Sequence, residues 1–238
     1  MSTVQEKYPL IPVTVPPNCD FQDHVATFAI EMSLIHNVFI RGLNSMWHNA
    51  PRVKSEHEAS FVGYCLSWVW LMHDHHEGEE TIIFPFLETK FPMQHNVDAH
   101  HEFLDGLNNF EAYMKRVQNK EEAYDGAKVR TLLDSFADVL VKHLQDEIET
   151  LTPDHMKEYD VNELNAMLKV HTDHIQTLSW VTSLSFVLHH NDTRIAPNWP
   201  PIPTPIMWTI RNVAYWRHSD YWMFAPFSRP GPPQEYNP

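Results

Sequence analysis

The positions of the prolines constrain this chain more than any other feature of its sequence. Of its 18 prolines, four lie before residue 18 and ten follow Ala196. Proline lacks a backbone donor and breaks helices and central strands, so regular elements are expected mainly between residues 20 and 191. The 6 glycines are too few for many tight turns, and no Rossmann-type or P-loop motif occurs. The chain is therefore predicted to be mostly helical.

Five amphipathic stretches fill the interval between the proline-rich ends. Asp20 is expected to cap the first helix, and Ser55 with Glu58 forms a predicted capping box for the second. The predicted helices cover approximately residues 20–47, 55 to 85 or 88, 92–119, 124–151 and 161–189. Long helices with short connections pack as antiparallel neighbours. We therefore predict an all-α fold, an up-down four-helix bundle with an additional fifth helix.

The chain divides into three predicted parts. Residues 1–19 form an extended N-terminal arm, 20–190 the helical bundle with its extra helix, and 191–238 an irregular tail rich in proline and aromatic residues. Disordered tails are poor in aromatic residues, so this tail is expected to pack on the bundle as a lid. The alternatives are that it forms a wall of a ligand pocket or an oligomer contact.

Charge and cysteine usage limit the classes of partner. The formal net charge of −14 disfavours nucleic acid and anionic membrane surfaces as partners, because both are negatively charged. Cys19 and Cys65 are the only cysteines and lie far apart in the sequence, so a disulfide framework is not expected. The first residues do not resemble a signal peptide, and the uncharged runs are shorter than a bilayer requires. A cytoplasmic location is predicted.

Two predicted helices carry a histidine followed four residues later by a glutamate. Residues four apart share a helix face, so both side chains can reach one metal ion or two adjacent ions. The pairs are His75/Glu79 or the overlapping His76/Glu80 on the second helix, and His143/Glu147 on the fourth. The flanking residues favour His75/Glu79 only slightly over His76/Glu80, and both registers stay open.

Two further helices each present one histidine to the predicted core. The residues that share a face with His36 and with His100 are nearly all apolar, whereas those around His101 are polar. Burying several imidazoles and carboxylates costs several kcal/mol for each unpaired ion, and no matching inward Lys or Arg is present. A metal centre removes this cost. Imidazole and carboxylate without thiolate suit iron, with manganese or zinc as substitutes, and carboxylates can bridge two ions. We predict a dinuclear non-haem iron site.

This arrangement resembles the hemerythrin family, in its HHE cation-binding branch, over roughly residues 20–151. The matching strings are His36-Asn37 with Arg41-Gly42-Leu43-Asn44, His75-His76-x-x-Glu79-Glu80 before Phe84-Pro85, Ala99-His100-x-x-Phe103, and His143-Leu144-x-x-Glu147-Ile148. The resemblance implies a left-twisted four-helix bundle with the metals between its helices. It also implies terminal ligands at His36, His75, His100 and His143 and bridging carboxylates at Glu79 and Glu147.

One position departs from the pattern of the oxygen-carrying hemerythrins. They have another histidine four residues before the one that His100 matches, and here that position is Asn96. Asparagine is a poor iron ligand, so one iron is expected to have an additional open position for substrate, water or a different metal. His95 would point about 100° away and does not replace it.

The predicted site supports two principal functions. In the first, the two irons bind O2 and activate it for the oxidation of a small organic substrate, which makes the chain an oxidoreductase. The alternative is a non-catalytic O2-binding, iron-sensing or iron-storage protein. Asn96 and the aromatic tail favour the oxidoreductase. On the fifth helix, His171 and His174 are an extra ligand pair, a proton relay, or core and interface histidines.

Overall fold

The computed structural model describes residues 6–229 and 231–238, so residues 1–5 of the predicted arm and Pro230 of the predicted tail lie outside the described residues. Within the described part, extended pairing is limited to an isolated bridge between Phe227 and Pro233. The main helices are α1 (His24–Asn49), α2 (Glu58–Gly78), α3 (Gln94–Gln118), α4 (Gly126–Asp134), α5 (Ala137–Asp146), α6 (Val161–Ile175), α7 (Ser185–His190) and α8 (Thr204–Asn212). The predicted all-α class is confirmed.

Two predicted helix starts are wrong. Asp23, not Asp20, caps α1, where its carboxylate accepts from the backbone N–H of Ala26. The predicted capping box does not form. Residues Ser55–His57 make a 3₁₀ turn, and the N–H of Glu58 donates to the backbone carbonyl of Ser55 instead of pairing with side chains. The second helix therefore begins its α-helical part at Glu58.

The fourth and fifth predicted helices are each interrupted. The chain turns at residues 135–136 between α4 and α5, where Phe136 is buried and packs so closely on α3 that a Cβ at Gly106 would lie 2.6 Å from the Cβ of Phe136. Residues 176–179 separate α6 from a π-helical turn at Trp180–Leu184, and Ser179 caps that turn. Neither break contains proline or glycine, so the sequence pattern did not indicate it.

Helix α2 changes its geometry at Glu79, the glutamate of the predicted His75/Glu79 pair. After Gly78 the chain makes a π-helical turn at Glu79–Ile83 and then a short α-helix at Phe84–Leu87. Single π turns within helices occur frequently at functional sites. The wider turn thus starts at Glu79, three residues after His76 of the histidine doublet His75-His76.

Close approach of α1 and α2 depends on a glycine. A Cβ at Gly42 would lie 2.5 Å from the Trp68 ring. Trp68 is fully buried and donates from its indole nitrogen to the carbonyl of Phe39, 3.1 Å away. The packed aromatic core therefore lies directly beside the part of α1 that carries His36.

The N-terminal arm docks on α1 through two asparagines. The amide of Asn44 accepts from the backbone N–H of Tyr8 at 2.9 Å and donates to its carbonyl at 2.8 Å. Asn37 makes the same two contacts with Ile11, at 2.8 and 2.9 Å. The side-chain amides of α1 thus replace the partners that a neighbouring strand would give the arm.

The C-terminal tail contains a helix, which differs from the irregular segment predicted, and part of it packs on the bundle. Besides α8, it contains Trp222 and Phe224, which are buried against the bundle, and Ser45 donates to the carbonyl of Phe224. In contrast, Trp208 and Trp216 are 61% and 62% exposed. In the described residues, no helix has the length and apolar character needed to cross a membrane.

Candidate metal centre

Five histidines and two glutamates converge between four segments of the fold, and we call them the His/Glu cluster. It comprises His36 on α1, His75, His76 and Glu79 on α2 and its π turn, His100 on α3, and His143 and Glu147 on α5 and the turn after it. The candidate ligand atoms of His76, Glu79, His100 and His143 all lie within 4.8 Å of one another, as do those of His36, His75 and Glu79. Glu79 belongs to both groups.

Each carboxylate faces one histidine from each group. Oε1 of Glu79 lies 2.9 Å from Nε2 of His75, and its Oε2 lies 3.5 Å from Nε2 of His100. Oε2 of Glu147 lies 3.4 Å from Nε2 of His36 and 3.8 Å from Nε2 of His143. Both glutamates are fully buried. The two carboxylates therefore each lie between the two groups of histidines.

Hydrogen bonds on the outer side of two rings determine which nitrogen faces the cluster. Nδ1 of His36 donates to the carbonyl of Leu144 at 2.7 Å, and Nδ1 of His100 donates to Oε1 of Glu80 at 2.7 Å. In a neutral imidazole the other nitrogen, Nε2, then carries a lone pair. These nitrogens lie 3.1 Å from Nε2 of His75 and 3.0 Å from Nε2 of His143, respectively. The rings thus direct lone pairs towards common points.

The buried acceptors of the cluster lack donors within the described part of the chain. None of the four oxygens of Glu79 and Glu147, nor Nε2 of His76, has a hydrogen-bond partner in bonding geometry. Buried polar atoms without partners cost free energy, and a cation bound between them satisfies several at once. Imidazole and carboxylate donors without thiolate fit iron, manganese or zinc. The residues present therefore fit a metal centre.

Burial also disfavours the charged form of the side chains in the cluster. It lowers the pKa of His75 to about 3 and that of His143 to about 2, the latter with help from neighbouring imidazoles. Burial raises the pKa of both carboxyls far above its ordinary value, and the charge of Glu79 raises the pKa of Glu147 further. Bound cations reverse this balance because they stabilise the ionised carboxylates.

Both His75 and His76 lie in the cluster, but of the neighbouring glutamates Glu79 and Glu80 only Glu79 does. At about 100° per residue, Glu79 lies about 40° from His75 and about 60° from His76 around the helix axis, so it stands between them. Glu80 is exposed and contacts the outer nitrogen of His100. The two registers are therefore not alternatives. His76 was absent from the predicted ligand set, and the doublet itself was the signal for it.

All six residues predicted as ligands lie in the cluster, whereas the other candidates do not. Asn96 is buried, and its amide nitrogen has no hydrogen-bond partner in the described residues. His171 and His174 lie outside both groups and line a cavity beside His75. His95 and His101 are exposed. His76 is therefore the further histidine that the fold brings to the ligand atoms.

The fold and this donor set define a helical protein of the cation-binding type, and the chain belongs to the hemerythrin family. The hemerythrin HHE cation binding domain matches residues 31–154, which include every member of the His/Glu cluster. A relative, "Dimeric xanthone biosynthesis cluster protein R11" of Cryptosporiopsis sp. (strain 8999), is 30% identical over 240 residues, covering 94% of this chain and 89% of that protein. No solved structure matches the chain. The resemblance inferred from the sequence motifs is confirmed.

Proposed function

We propose that the chain is a non-haem di-iron protein of the hemerythrin type. His76, His100 and His143 would hold one ion, and His36 and His75 the other. Glu79 and Glu147 would bridge the two. The observation that carries this proposal is that Glu79 belongs to both groups of ligand atoms. Manganese or zinc would suit the same donors, and the up-down arrangement of the helices is part of the proposal.

The surrounding residues would orient and shield the centre. Iron held by imidazole and carboxylate supplies redox chemistry with O2. The carbonyl of Leu144 and the carboxylate of Glu80 fix the rings of His36 and His100 and select the nitrogen that faces inward. Phe103 packs against His76 and His143 at ring separations of 5.1 and 5.6 Å. This apolar contact limits the access of water to the ligand nitrogens.

We further propose that the protein activates O2 to oxidise a small organic substrate. The relative's name places that protein in a biosynthesis cluster, where oxidative steps on organic compounds are expected. His76 favours the second candidate, a non-catalytic O2-binding or iron-sensing protein, because a fifth histidine fills a position that Asn96 leaves open. Iron storage, oligomer formation through the tail and a cytoplasmic location stay predictions from the sequence.

Iron analysis tests the di-iron proposal. The purified protein is expected to contain about two irons per chain, and Glu79→Ala is expected to lose most of both because the carboxylate is shared. Glu77→Ala is the matched control, since Glu77 is an exposed glutamate on the same helix. Retention of both irons in Glu79→Ala, or one iron in a fully loaded wild-type preparation, would contradict the proposal.

Oxygen uptake separates the two candidate functions. An oxidoreductase is expected to consume O2 continuously when it is supplied with a reductant and an oxidisable phenol. A reversible binder is expected to take up O2 once and to release it under vacuum, with an absorption band that appears and disappears accordingly. Reversible uptake without turnover would overturn the oxidoreductase and support the second candidate.

A further inference from the structure

A cavity of about 260 Å³ lies beside the metal centre, with the His75 ring in its wall. It is bounded by α1, α2, α6 and the chain that follows α7. An apolar cavity of about 150 Å³ accommodates a benzene molecule. The volume here therefore suits a compound of about two fused rings.

The cavity follows one face of α1. Phe28, Glu31, Ile35 and Phe39 line it in succession, and Glu31 and Phe39 are about 12 Å apart along the helix axis at 1.5 Å per residue. The Phe39 ring lies 5.0 Å from the His75 ring, which places that end of the cavity at the metal centre. The long dimension matches a bicyclic molecule with one substituent.

Part of the wall comes from the tail. Trp199, Pro200 and Pro201 belong to the lining of the cavity. Aromatic faces and proline rings present broad apolar surfaces, and aromatic pairs are favourable beyond the area they bury. Such walls favour a planar ring system over a branched aliphatic chain.

The charged groups around the cavity determine which substituents it can accept. Among the described residues that line it, none is Lys or Arg, and the acidic ones are Glu31 and Asp74. Burial raises the pKa of Glu31 to about 7, against the opposing effect of Trp199 and Thr27, and lowers the pKa of His171 to about 4. A carboxylate or phosphate would meet no cation here, whereas a hydroxyl can donate to Glu31.

We propose that this cavity binds a neutral, hydroxylated aromatic compound of about two fused rings, with its hydroxyl on Glu31 and its ring directed towards His75. The assignment rests on the proposed function, because it makes this compound the substrate class of the same centre. The lining residues include two acids and no Lys or Arg, which favours a neutral hydroxyl group over an anionic substituent. The aromatic and proline rings of the wall favour a planar ring system.

Calorimetric titration of the iron-loaded protein under anaerobic conditions tests the proposal with three probes: 2-naphthol, naphthalene and 2-naphthoate. We expect 2-naphthol to bind at least about tenfold more tightly than the other two, since one good hydrogen bond to a partly buried carboxyl group is worth about that factor. Glu31→Leu is expected to reduce the affinity for 2-naphthol to that for naphthalene. Equal binding of 2-naphthoate, or a preference unchanged in Glu31→Leu, would overturn it.

A cavity-filling variant tests the location. Leu178→Trp is expected to weaken 2-naphthol binding at least about tenfold because the larger ring occupies the space. Val170→Trp is the control, since Val170 is 56% exposed on α6 and lies outside the lining. Ile202→Trp fills the cavity from the tail side if Leu178→Trp does not fold. Unchanged binding in the folded filling variant would exclude this cavity.

The same preparations distinguish the two proposals. Iron content and 2-naphthol affinity are measured on each variant, with and without iron. A protein that holds two irons but does not bind 2-naphthol overturns the cavity assignment alone. A protein that binds 2-naphthol but cannot hold two irons overturns the di-iron proposal alone.

Discussion

Nε2 of His100 lies 3.0 Å from Nε2 of His143, and both rings are buried. The outer nitrogen of His100 donates to Glu80, so the inner one carries a lone pair. The nearby Glu79 and Glu147 add carboxylate oxygens without donors. Such a set of acceptors is unfavourable when it is empty and favourable around a cation, so metal binding and folding are expected to be coupled.

Removal of the metal is therefore expected to destabilise the fold. A metal ion that binds only the native state raises the free energy of unfolding. The increase grows with the logarithm of the free metal concentration divided by the dissociation constant. For a chain of this size we expect the melting temperature to fall by about 10 °C or more after chelation. Calorimetry before chelation, after it and after return of ferrous iron provides the measurement. Equal melting temperatures for the loaded and metal-free protein would refute the coupling.

Glu80 is expected to strengthen metal binding without being a ligand. Partners of the outer nitrogen of a ligating histidine typically contribute a factor of about 10 to 100 in metal affinity. Glu80→Ala should weaken iron binding by that factor in a chelator competition, while Glu80→Gln, which keeps an acceptor for His100, should lose less. Glu77→Ala serves as the control on the same helix. Loss of affinity in Glu77→Ala equal to that in Glu80→Ala would show a general charge effect instead.

His76 and Asn96 offer a rescue experiment. His76→Ala should lower iron content because it removes one imidazole from the group with His100 and His143. Adding Asn96→His to that variant restores a histidine one turn before His100, at the position where the oxygen-carrying relatives have one. We expect iron content to recover at least partly, as measured by metal analysis. Full iron content in His76→Ala alone would exclude His76 as a ligand.

Glu31 is expected to make the stability of the native protein depend on pH. Its pKa rises from 4.5 to about 7 on burial, so the folded state binds more protons than the unfolded state between these values. Stability therefore falls as pH rises through this window, by at most about 3 kcal/mol, since a tenfold change in acidity corresponds to about 1.4 kcal/mol.

The matched comparison uses Glu31→Gln, which cannot ionise. Urea unfolding of the iron-loaded proteins at pH 5 and pH 8 should show the variant gaining stability relative to the wild type at the higher pH. The same difference between the two proteins at both pH values would show that Glu31 titrates normally.

The helical class could be predicted from the scarcity of glycine and the position of the prolines, but the breaks within helices could not. Phe136 interrupts a helix because its ring packs in the core beside Trp68, at a ring separation of 6.3 Å. Ser179 caps a new turn where no proline or glycine precedes it. Tertiary packing and a local side-chain cap outweigh the helical period at these points, and neither leaves a pattern in the sequence.

Periodicity predicts the six candidate ligands from their positions on largely apolar helix faces, and all six lie in the His/Glu cluster. The sequence alone does not select His76, because His75 and His76 each precede a glutamate by four residues and their flanking residues differ little, whereas in the structure Glu79 stands between the two histidines. A pocket wall was one of the roles expected for the tail, but the residues that line the cavity could not be predicted. Its wall joins α1 to Trp199 and Pro200, which are about 160 residues further along the chain, and no local motif encodes that contact.

The cavity and the metal centre also differ in where along the chain they are encoded. The family match at residues 31–154 contains all seven members of the His/Glu cluster, whereas residues between 168 and 202 supply the part of the cavity wall that does not come from α1 and α2. Substitutions in this later segment can change which compound reaches the centre without altering a ligand. Relatives with the same metal-binding residues can therefore evolve towards different substrates, and comparison of the segment beyond residue 154 would be the way to sort them.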